Sequence, residues 1–172
     1  ISCFNETDGR ISIVSPDANL EFSLDGTVFG TNNEFNNLSA GTYMPVVRQL
    51  NACSITLPSV DLVNPDEVLA QSSNTGAYCF GEPIVLQGNS NNLGQISYSW
   101  TGPNGYASTN QNPTDATIAG DYILTASVNG CSSIASTTTV VVKDLPIAYA
   151  TNTGPYCQGD VIELLGSTNN NS

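Results

Sequence analysis

The sequence predicts an all-β fold, and three observations support this prediction. Short runs in which apolar and polar residues alternate recur along the 172 residues, and a two-residue period is typical of half-buried strands. Fifteen glycines and nine prolines separate these runs, which favours short strands joined by turns. No long segment shows the 3.6-residue period of an amphipathic helix. We therefore expect strands and turns throughout the chain.

One stretch of the sequence recurs at an offset of 78 residues. Residues 74–88 align without a gap with residues 152–166, and both begin with Asn-Thr-Gly and contain Tyr-Cys-x-Gly. A second similarity, which needs a gap of one residue, links residues 40–54 to residues 119–132. A fixed period indicates a tandem array of modules. The expected modules are residues 1–65, residues 66–145 and the truncated beginning of a third at residues 146–172.

Residues 66–145 form the complete module, and alternation places its strands. Residues 96–100 alternate throughout, with Ser97 and Ser99 on the outward side. The side chains expected to point inward are Ile84, Leu86, Tyr98, Trp100, Tyr122, Leu124 and Ala126. Gly-Pro-Asn-Gly at residues 102–105 predicts a turn. Asn129-Gly130 predicts a two-residue hairpin that leads into a last strand.

The order of these features predicts an immunoglobulin-like β-sandwich. Trp100 lies on a central strand, and Tyr122 follows a glycine at the start of a late strand, where a tyrosine corner is expected. An antibody domain has a cysteine two residues after that tyrosine, but this chain has Leu124. We expect Leu86 and Leu124 to replace the intersheet disulfide around Trp100.

Residues 1–65 follow the same order with shorter runs. Here Tyr43 opens the late strand, and Pro45 predicts an edge or a bulge because proline cannot donate to a strand ladder. Asp25-Gly26 predicts a hairpin turn. The side chains expected to point inward are Ile11, Ile13, Leu20, Phe22 and Leu24, while Ser12, Glu21 and Ser23 are expected to point outward.

The five cysteines are spaced as the modules are. They are Cys3, Cys53, Cys79, Cys131 and Cys157. Each complete module has one cysteine before its first core strand and one after its late turn, so the spacing predicts the disulfides Cys3–Cys53 and Cys79–Cys131, one per module. We expect Cys157 to pair with a cysteine outside the chain. No C-x-x-C motif suggests zinc, and buried free thiols are the alternative.

Disulfides would place the protein in an oxidising environment, which is the periplasm, the cell surface or the outside of the cell. They would also stabilise small modules, since closing a loop of about 50 residues contributes roughly 4 kcal/mol in the chain-entropy model.

Composition argues against several classes of function. Only three basic residues stand against fifteen acidic ones, a net charge of −12, which argues against nucleic acid and anionic membranes. The chain has no histidine, which excludes Ser-His-Asp and Cys-His catalysis and histidine-bound zinc. No apolar run is long enough to span a membrane. We expect no enzyme and no cofactor or metal, although calcium at a junction near Asp66, Glu67 or Asp144 stays an alternative.

The aromatic residues offer no evident binding face. Tyr98, Trp100 and Tyr122 alternate with small polar residues or lie at core positions, so we expect them to pack inside the module. Phe80 and Tyr106 are the exposed candidates, and two aromatic side chains are too few to indicate a carbohydrate-binding surface.

Several motifs resemble those of known bacterial surface proteins. Residues 3–13, 22–26, 38–43 and 51–54 resemble the repeats of gliding-motility adhesins and related giant surface proteins of the Bacteroidetes. Residues 78–131 are similar to the immunoglobulin-like or PKD-like modules that accompany such repeats. The resemblance implies a long protein of the outer cell surface, exported by the type IX secretion system, with a role in adhesion, filament formation or gliding motility.

Taken together, these features favour a structural function. We expect spacer modules in the stalk of an extracellular adhesin or filament, contacting neighbouring modules of the same chain and sister chains in a filament, with neither nucleic acid nor membrane insertion. One alternative is an array that binds a surface glycan or a protein. Another is the accessory region of a secreted enzyme whose catalytic domain lies elsewhere.

Overall fold

The computed structural model describes residues 1–15, 17, 19–50 and 53–169, and these residues form an all-β structure. A single 3₁₀ turn, Pro103–Gly105, interrupts the strands. Within these ranges no helix is long and apolar enough to cross a membrane. The strands are β1 Gly9–Ser12, β2 Leu20–Ser23, β3 Glu34–Leu38, β4 Gly41–Tyr43, β5 Val46–Gln49, β6 Ser54–Thr56, β7 Val60–Leu62, β8 Ala70–Asn74, β9 Tyr78–Cys79, β10 Leu86–Ser90, β11 Ser97–Thr101, β12 Ala107–Ser108, β13 Gly120–Val128, β14 Cys131–Ser132, β15 Ser136–Val140, β16 Val142–Lys143, β17 Ala148–Asn152 and β18 Leu164–Thr168.

Residues 66–145 fold into an immunoglobulin-like sandwich of two sheets. In one sheet β8 pairs antiparallel with β10, and Ile84 bridges to Ala116. In the other, β11 lies between β12 and β13, and β13 pairs on its far edge with both β14 and β15. The short strands β9 and β16 pair in parallel. The predicted Asn129-Gly130 hairpin is confirmed, because both residues have positive φ and Val128 lies opposite Cys131.

The core of this sandwich confirms the predicted inward positions. Leu86, Trp100, Tyr122 and Leu124 are fully buried in one cluster with Ile84. Trp100 lies opposite Leu124 in the β11–β13 register, and its indole Nε1 donates to the backbone carbonyl of Gln111 at 3.2 Å. Two leucines therefore occupy the space around the tryptophan where an antibody domain has its disulfide.

Residues 1–65 form a smaller arrangement with its own core. Its strands pair as β1–β3, β2–β5–β6 and β4–β7. The core consists of Ile11, Ile13, Phe22 and Val47, each 6–8% exposed. The predicted interruption at Pro45 is confirmed: β4 ends before it and pairs with β7, whereas β5 begins after it and pairs with β2 and β6.

Ser23 is a predicted outward residue that the structure buries completely. Its Oγ accepts the backbone N–H of Gly26 at 2.9 Å and donates to Asp25 Oδ1 at 2.9 Å. The turn at Asp25-Gly26 thus satisfies the hydroxyl inside the protein, which alternation alone could not predict. Phe22 and Gly30 exchange two backbone hydrogen bonds on either side of this turn.

Both halves contain a tyrosine corner. The Tyr122 hydroxyl donates to the carbonyl of Ile118 at 2.8 Å, and the Tyr43 hydroxyl donates to the carbonyl of Ser39 at 2.9 Å. Each bond reaches back four residues from a Gly-x-Tyr sequence. The fold markers Trp100, Tyr43 and Tyr122 therefore hold the positions that the sequence indicates.

Residues 146–169 repeat the beginning of the preceding module in detail. Strands β17 and β18 pair in the register of β8 and β10, shifted by 78 residues throughout. The Tyr156 hydroxyl donates to the carbonyl of Glu163 at 3.0 Å, as Tyr78 does to Val85 at 3.0 Å. The side chain of Leu164, at the position equivalent to the buried Leu86, is 77% exposed. The division into three modules stays a prediction, and these matching contacts agree with it.

Candidate intermodule junction

The first cysteine of each repeat occupies the same turn. The backbone N–H three residues later donates to the carbonyl of Cys3 at 3.1 Å, of Cys79 at 3.0 Å and of Cys157 at 3.0 Å. The Cys79 N–H donates in return to a carboxylate oxygen of Glu82 at 2.8 Å, and the Cys157 N–H donates to Asp160 at 2.6 Å. An acidic residue follows each of these cysteines by three positions, so the local sequence favours the same turn at all three.

This turn lies at the end of the module from which the chain leaves, which we call the exit end. Cys79 lies opposite Lys143 in the parallel β9–β16 pair, and the Phe80 N–H donates to the Lys143 carbonyl at 2.8 Å. In the first module, the side chain of Asn64 donates to Asn5, two residues after Cys3, at 3.4 Å. The first cysteine therefore lies beside the segment that leads to the next module.

The second cysteine lies at the opposite end, which we call the hairpin end. Cys131 directly follows the Asn129-Gly130 turn and pairs with Val128, the last residue of β13. Cys53 occupies the equivalent place, since its carbonyl accepts the N–H of Gln49 at the end of β5. The preceding residues 51 and 52, part of the predicted sequence similarity, lie outside the described residues.

The structure pairs Cys3 with Cys131, which corrects both predicted disulfides. Their Cα atoms are 5.5 Å apart, and the bond joins residues 128 positions apart. The predicted Cys79–Cys131 bond fails because the nine-residue strand β13 separates its two ends. That strand is about 27 Å long at 3.4 Å per residue, whereas disulfide Cα atoms lie within about 7 Å. Residues 41–49 separate Cys3 from Cys53 in the same way.

Three cysteines are unbonded in the described structure. The thiols of Cys53, Cys79 and Cys157 are exposed, so the alternative of buried free thiols is wrong for all three. The expected pairing of Cys157 with a cysteine outside the chain stays a prediction. The bonded cysteines Cys3 and Cys131 are half-buried.

A cleft of about 500 Å³ lies beside the disulfide and is lined by residues 3–6, 66–68 and 130–132 together with Ile134. Its lining includes three carboxylate residues, Glu6, Asp66 and Glu67. Among the described residues, however, no three His, Cys, Asp or Glu side chains are close enough together to hold a metal ion. The calcium alternative stays a prediction.

The aromatic residues are mainly structural. Tyr98 packs against the core, as predicted. Tyr106, expected to be exposed, also packs there: its ring meets that of Tyr122 edge-on, with centroids 5.2 Å apart. Its hydroxyl donates to Asp115 Oδ1 at 2.7 Å, and burial together with this carboxylate raises the pKa of Tyr106 to about 12. Phe80 is 68% exposed, as expected.

Two of the three basic side chains are paired with carboxylates. Arg10 bonds to Glu34 at 2.5 Å, and Arg48 bonds to Glu21 at 2.7 Å. Arg48 also lies over the ring of Phe29, 3.8 Å from its centroid. These contacts pair both arginines with carboxylates inside residues 1–65.

Sequence reasoning missed the junction because it paired cysteines within each module. In the structure Cys79 and Cys131 lie at the two ends of β13, which places them too far apart to bond. The position of Cys79 at that end depends on the β9–β16 pairing, which the sequence pattern does not indicate.

The chain is similar in fold to solved structures of immunoglobulin-domain proteins. It shares 17% identity with the amphioxus IgVJ-C2 molecule, over 82% of this chain and 99% of that chain, with a TM-score of 0.40. It shares 11% identity with extracellular domains 3–5 of Drosophila OTK, over 95% of this chain and 71% of that chain, with a TM-score of 0.39. With immunoglobulin domains 1–4 of Sidekick-1 it shares 13% identity, over 94% of this chain and 55% of that chain, with a TM-score of 0.32.

No family model matches the chain, and no curated protein matches it. The fold assignment stands on the sandwich, the buried tryptophan and the tyrosine corners described above.

Proposed function

We propose that this chain is part of the stalk of an extracellular surface protein, in which immunoglobulin-like modules act as stiff spacers. The observation that carries the proposal is the Cys3–Cys131 disulfide, which joins the exit end of one module to the hairpin end of the next. A second covalent connection beside the linker restricts bending and twisting at the junction. Such restriction is of use to a spacer that transmits force or holds a distal site away from a surface.

The properties of the linker support the same function. The connection from Leu62 at the end of β7 to Ala70 at the start of β8 contains Pro65, which fixes its own φ. Val68 within this connection is only 6% exposed. A short linker with a buried apolar side chain and a proline is unlike the Gly/Ser-rich linkers that let domains move independently.

The finer proposal is an adhesin or filament of the outer cell surface, of the gliding-motility type. Its support is the resemblance of the repeat motifs, together with a disulfide, which persists in oxidising compartments. The partners we propose are neighbouring modules of the same chain and sister chains in a filament. Glycan or protein recognition and an accessory role in a secreted enzyme are the competing functions.

Immunogold electron microscopy of the cells that make the protein tests the proposal, with antibody raised against residues 66–145. We expect label along thin filaments that project from the cell. Antibody pre-absorbed with the same module is the control. Label confined to compact released particles would contradict the stalk function and would favour the accessory region of a secreted enzyme.

A further inference from the structure

We propose that Cys3–Cys131 is one instance of a repeating bond, in which the first cysteine of each module is joined to the hairpin cysteine of the following module. The exposed thiol of Cys79 is then the attachment point for the hairpin of the next module, and Cys157 has the same role one module further on. Cys53 is the acceptor for the first cysteine of a preceding module. The occupant of each site is a module of this same kind.

The first argument is the equivalence of the cysteines. Cys3, Cys79 and Cys157 accept the same backbone hydrogen bond in the same turn, at 3.0–3.1 Å. Cys53 and Cys131 both lie where the late strand turns back. The observed bond joins Cys3 of the first set to Cys131 of the second. The unbonded members, Cys79, Cys157 and Cys53, are exposed.

The second argument is the length of the linker. Gly41 and Gly120, which begin the late strands, lie opposite Leu62 and Val140 respectively. The next module begins its first strand eight residues later in both cases, at Ala70 and at Ala148. The connection from the late-strand pairing to the next module therefore has the same length in both cases.

The third argument is that the local structure after the linker is also the same. The Leu69 N–H donates to Asn91 Oδ1 at 2.8 Å, and the Ile147 N–H donates to Asn169 Oδ1 at 2.8 Å. The third module thus begins with the anchoring contact of the second. A complete third module would have a hairpin cysteine equivalent to Cys131. That cysteine would lie beside Cys79, as Cys131 lies beside Cys3.

Bond formation requires an oxidant, and a disulfide-bearing protein or small molecule serves. One module thiolate attacks a sulfur of the oxidant disulfide and forms a mixed disulfide, releasing one oxidant thiol. The second module thiolate attacks the module sulfur of that mixed disulfide, forms the intermodule bond and releases the second oxidant thiol. The two module thiols are oxidised, the oxidant disulfide is reduced to two thiols, and the two protons are transferred to them.

The repeating bond would make the array nearly inextensible. A covalent path along the array passes through the Cys3–Cys131 bond, follows the backbone from Cys131 to Cys157 and leaves through the next bond. Over a length of about two modules, this path contains only the 26 residues from 131 to 157. These span about 95 Å when fully extended, whereas the roughly 155 residues of backbone in two modules would span about 550 Å. Force would then be borne by this short path, and the rest of each module would carry no load.

The first test maps the disulfide in the oxidised chain. Trypsin and a protease that cleaves beside Asp and Glu separate all five cysteines, since cleavable residues lie between each consecutive pair. We expect the Cys3 and Cys131 peptides to be linked and Cys53, Cys79 and Cys157 to react with an alkylating agent. A Cys3–Cys53 or Cys79–Cys131 link would overturn the proposal.

The second test supplies the missing partner by inserting a second copy of residues 69–146 between Pro146 and Ile147. The insertion adds two cysteines to the five. We expect three titratable thiols, the same number as in the original chain, because a new bond joins the first Cys79 to the inserted Cys131. Five thiols would mean that no second bond forms and would refute the repeating arrangement.

A matched variant identifies the partner. Cys131→Ser in the inserted copy alone should raise the thiol count from three to four and release the first Cys79, while Cys3 stays linked. The same change should leave the near-ultraviolet circular dichroism of the packed tryptophans unaltered. The repeating bond extends the stalk proposal, but it is inferred from the Cys3–Cys131 pair. The thiol counts therefore test the repeating bond alone, and the immunogold labelling tests the stalk function alone.

Discussion

Reducing the Cys3–Cys131 bond should lengthen the chain under tension by about 460 Å. The bond encloses a loop of 128 residues, and a fully extended chain gains about 3.6 Å per residue. When residues 1 and 172 are pulled apart, the oxidised chain can extend only through the short segments outside this loop, mainly residues 131–172, roughly 150 Å. Most core residues of both modules lie inside the loop and should not be extended until the bond is broken, whereas β15, with the buried Val140, lies outside it and can be pulled from the sandwich.

Single-molecule force spectroscopy measures this difference directly. The oxidised chain should show no extension of residues 3–131, and addition of a reducing agent should restore the missing contour length. A double variant, Cys3→Ser with Cys131→Ser, should behave as the reduced chain does without any reductant. Cys79→Ser should leave the oxidised record unchanged, because that thiol is unbonded.

A different pairing would give a different length. Bonds within each module would enclose loops of 50 and 52 residues and withhold about 370 Å in two steps. Extension of the segment between the two modules in the oxidised state, together with two separate gains near 180 Å on reduction, would refute the pairing seen in the structure.

Four further predictions follow from the packing and the ionisable groups. Gly88→Ala should lower the free energy of unfolding by about 1–3 kcal/mol, since the added Cβ would lie 2.8 Å from a backbone carbonyl oxygen and 3.3 Å from the tryptophan ring. The control is Gly166→Ala, at the equivalent position with nothing within 4 Å, which should change the free energy little. Equal effects of the two variants in chemical denaturation would contradict the packing around Gly88. Tyr122→Phe should cost about 1–3 kcal/mol because it orphans a carbonyl in the corner, and an unchanged denaturation midpoint would count against the bond. Tyr43→Phe, in the half-buried corner of the smaller module, should cost less, and a larger loss than for Tyr122→Phe would reverse that order. Because the pKa of Tyr106 is raised to about 12, the stability that this side chain contributes is complete below pH 10 and is lost as the pH rises toward 12. An absorbance titration of Tyr106→Phe should lack this late tyrosine ionisation. If the late ionisation persists in the variant, it belongs to another tyrosine.

Much of the fold follows from local patterns in the sequence. Alternation placed Ile84, Leu86, Trp100, Tyr122 and Leu124 in the core, and all five are fully buried. Positive φ at Asn129 and Gly130 is a property that this dipeptide readily adopts, so the hairpin was predictable as well. Ser23 was not, because its burial depends on hydrogen bonds within a turn whose geometry alternation does not describe.

The similarity at an offset of 78 residues was also visible in the sequence, and the structure adds hydrogen bonds that recur at the same offset. What the sequence left open was which cysteines meet. The similar spacings of Cys3–Cys53 and Cys79–Cys131, 50 and 52 residues, suggested bonds within modules. Spacing along a chain measures neither the length of an extended strand nor which of its ends a residue occupies.

The sequence by itself thus determined the strands, the turns and the inward faces of the two modules, because each depends on residues within a few positions of one another. Only the tertiary structure decided the covalent connection, because it depends on where the ends of two modules meet. Strand β13 separates Cys79 from Cys131, and the linker from Leu62 to Ala70 brings Cys131 to Cys3. Disulfide geometry allows only the pair whose Cα atoms come within about 7 Å, and that proximity arises between modules.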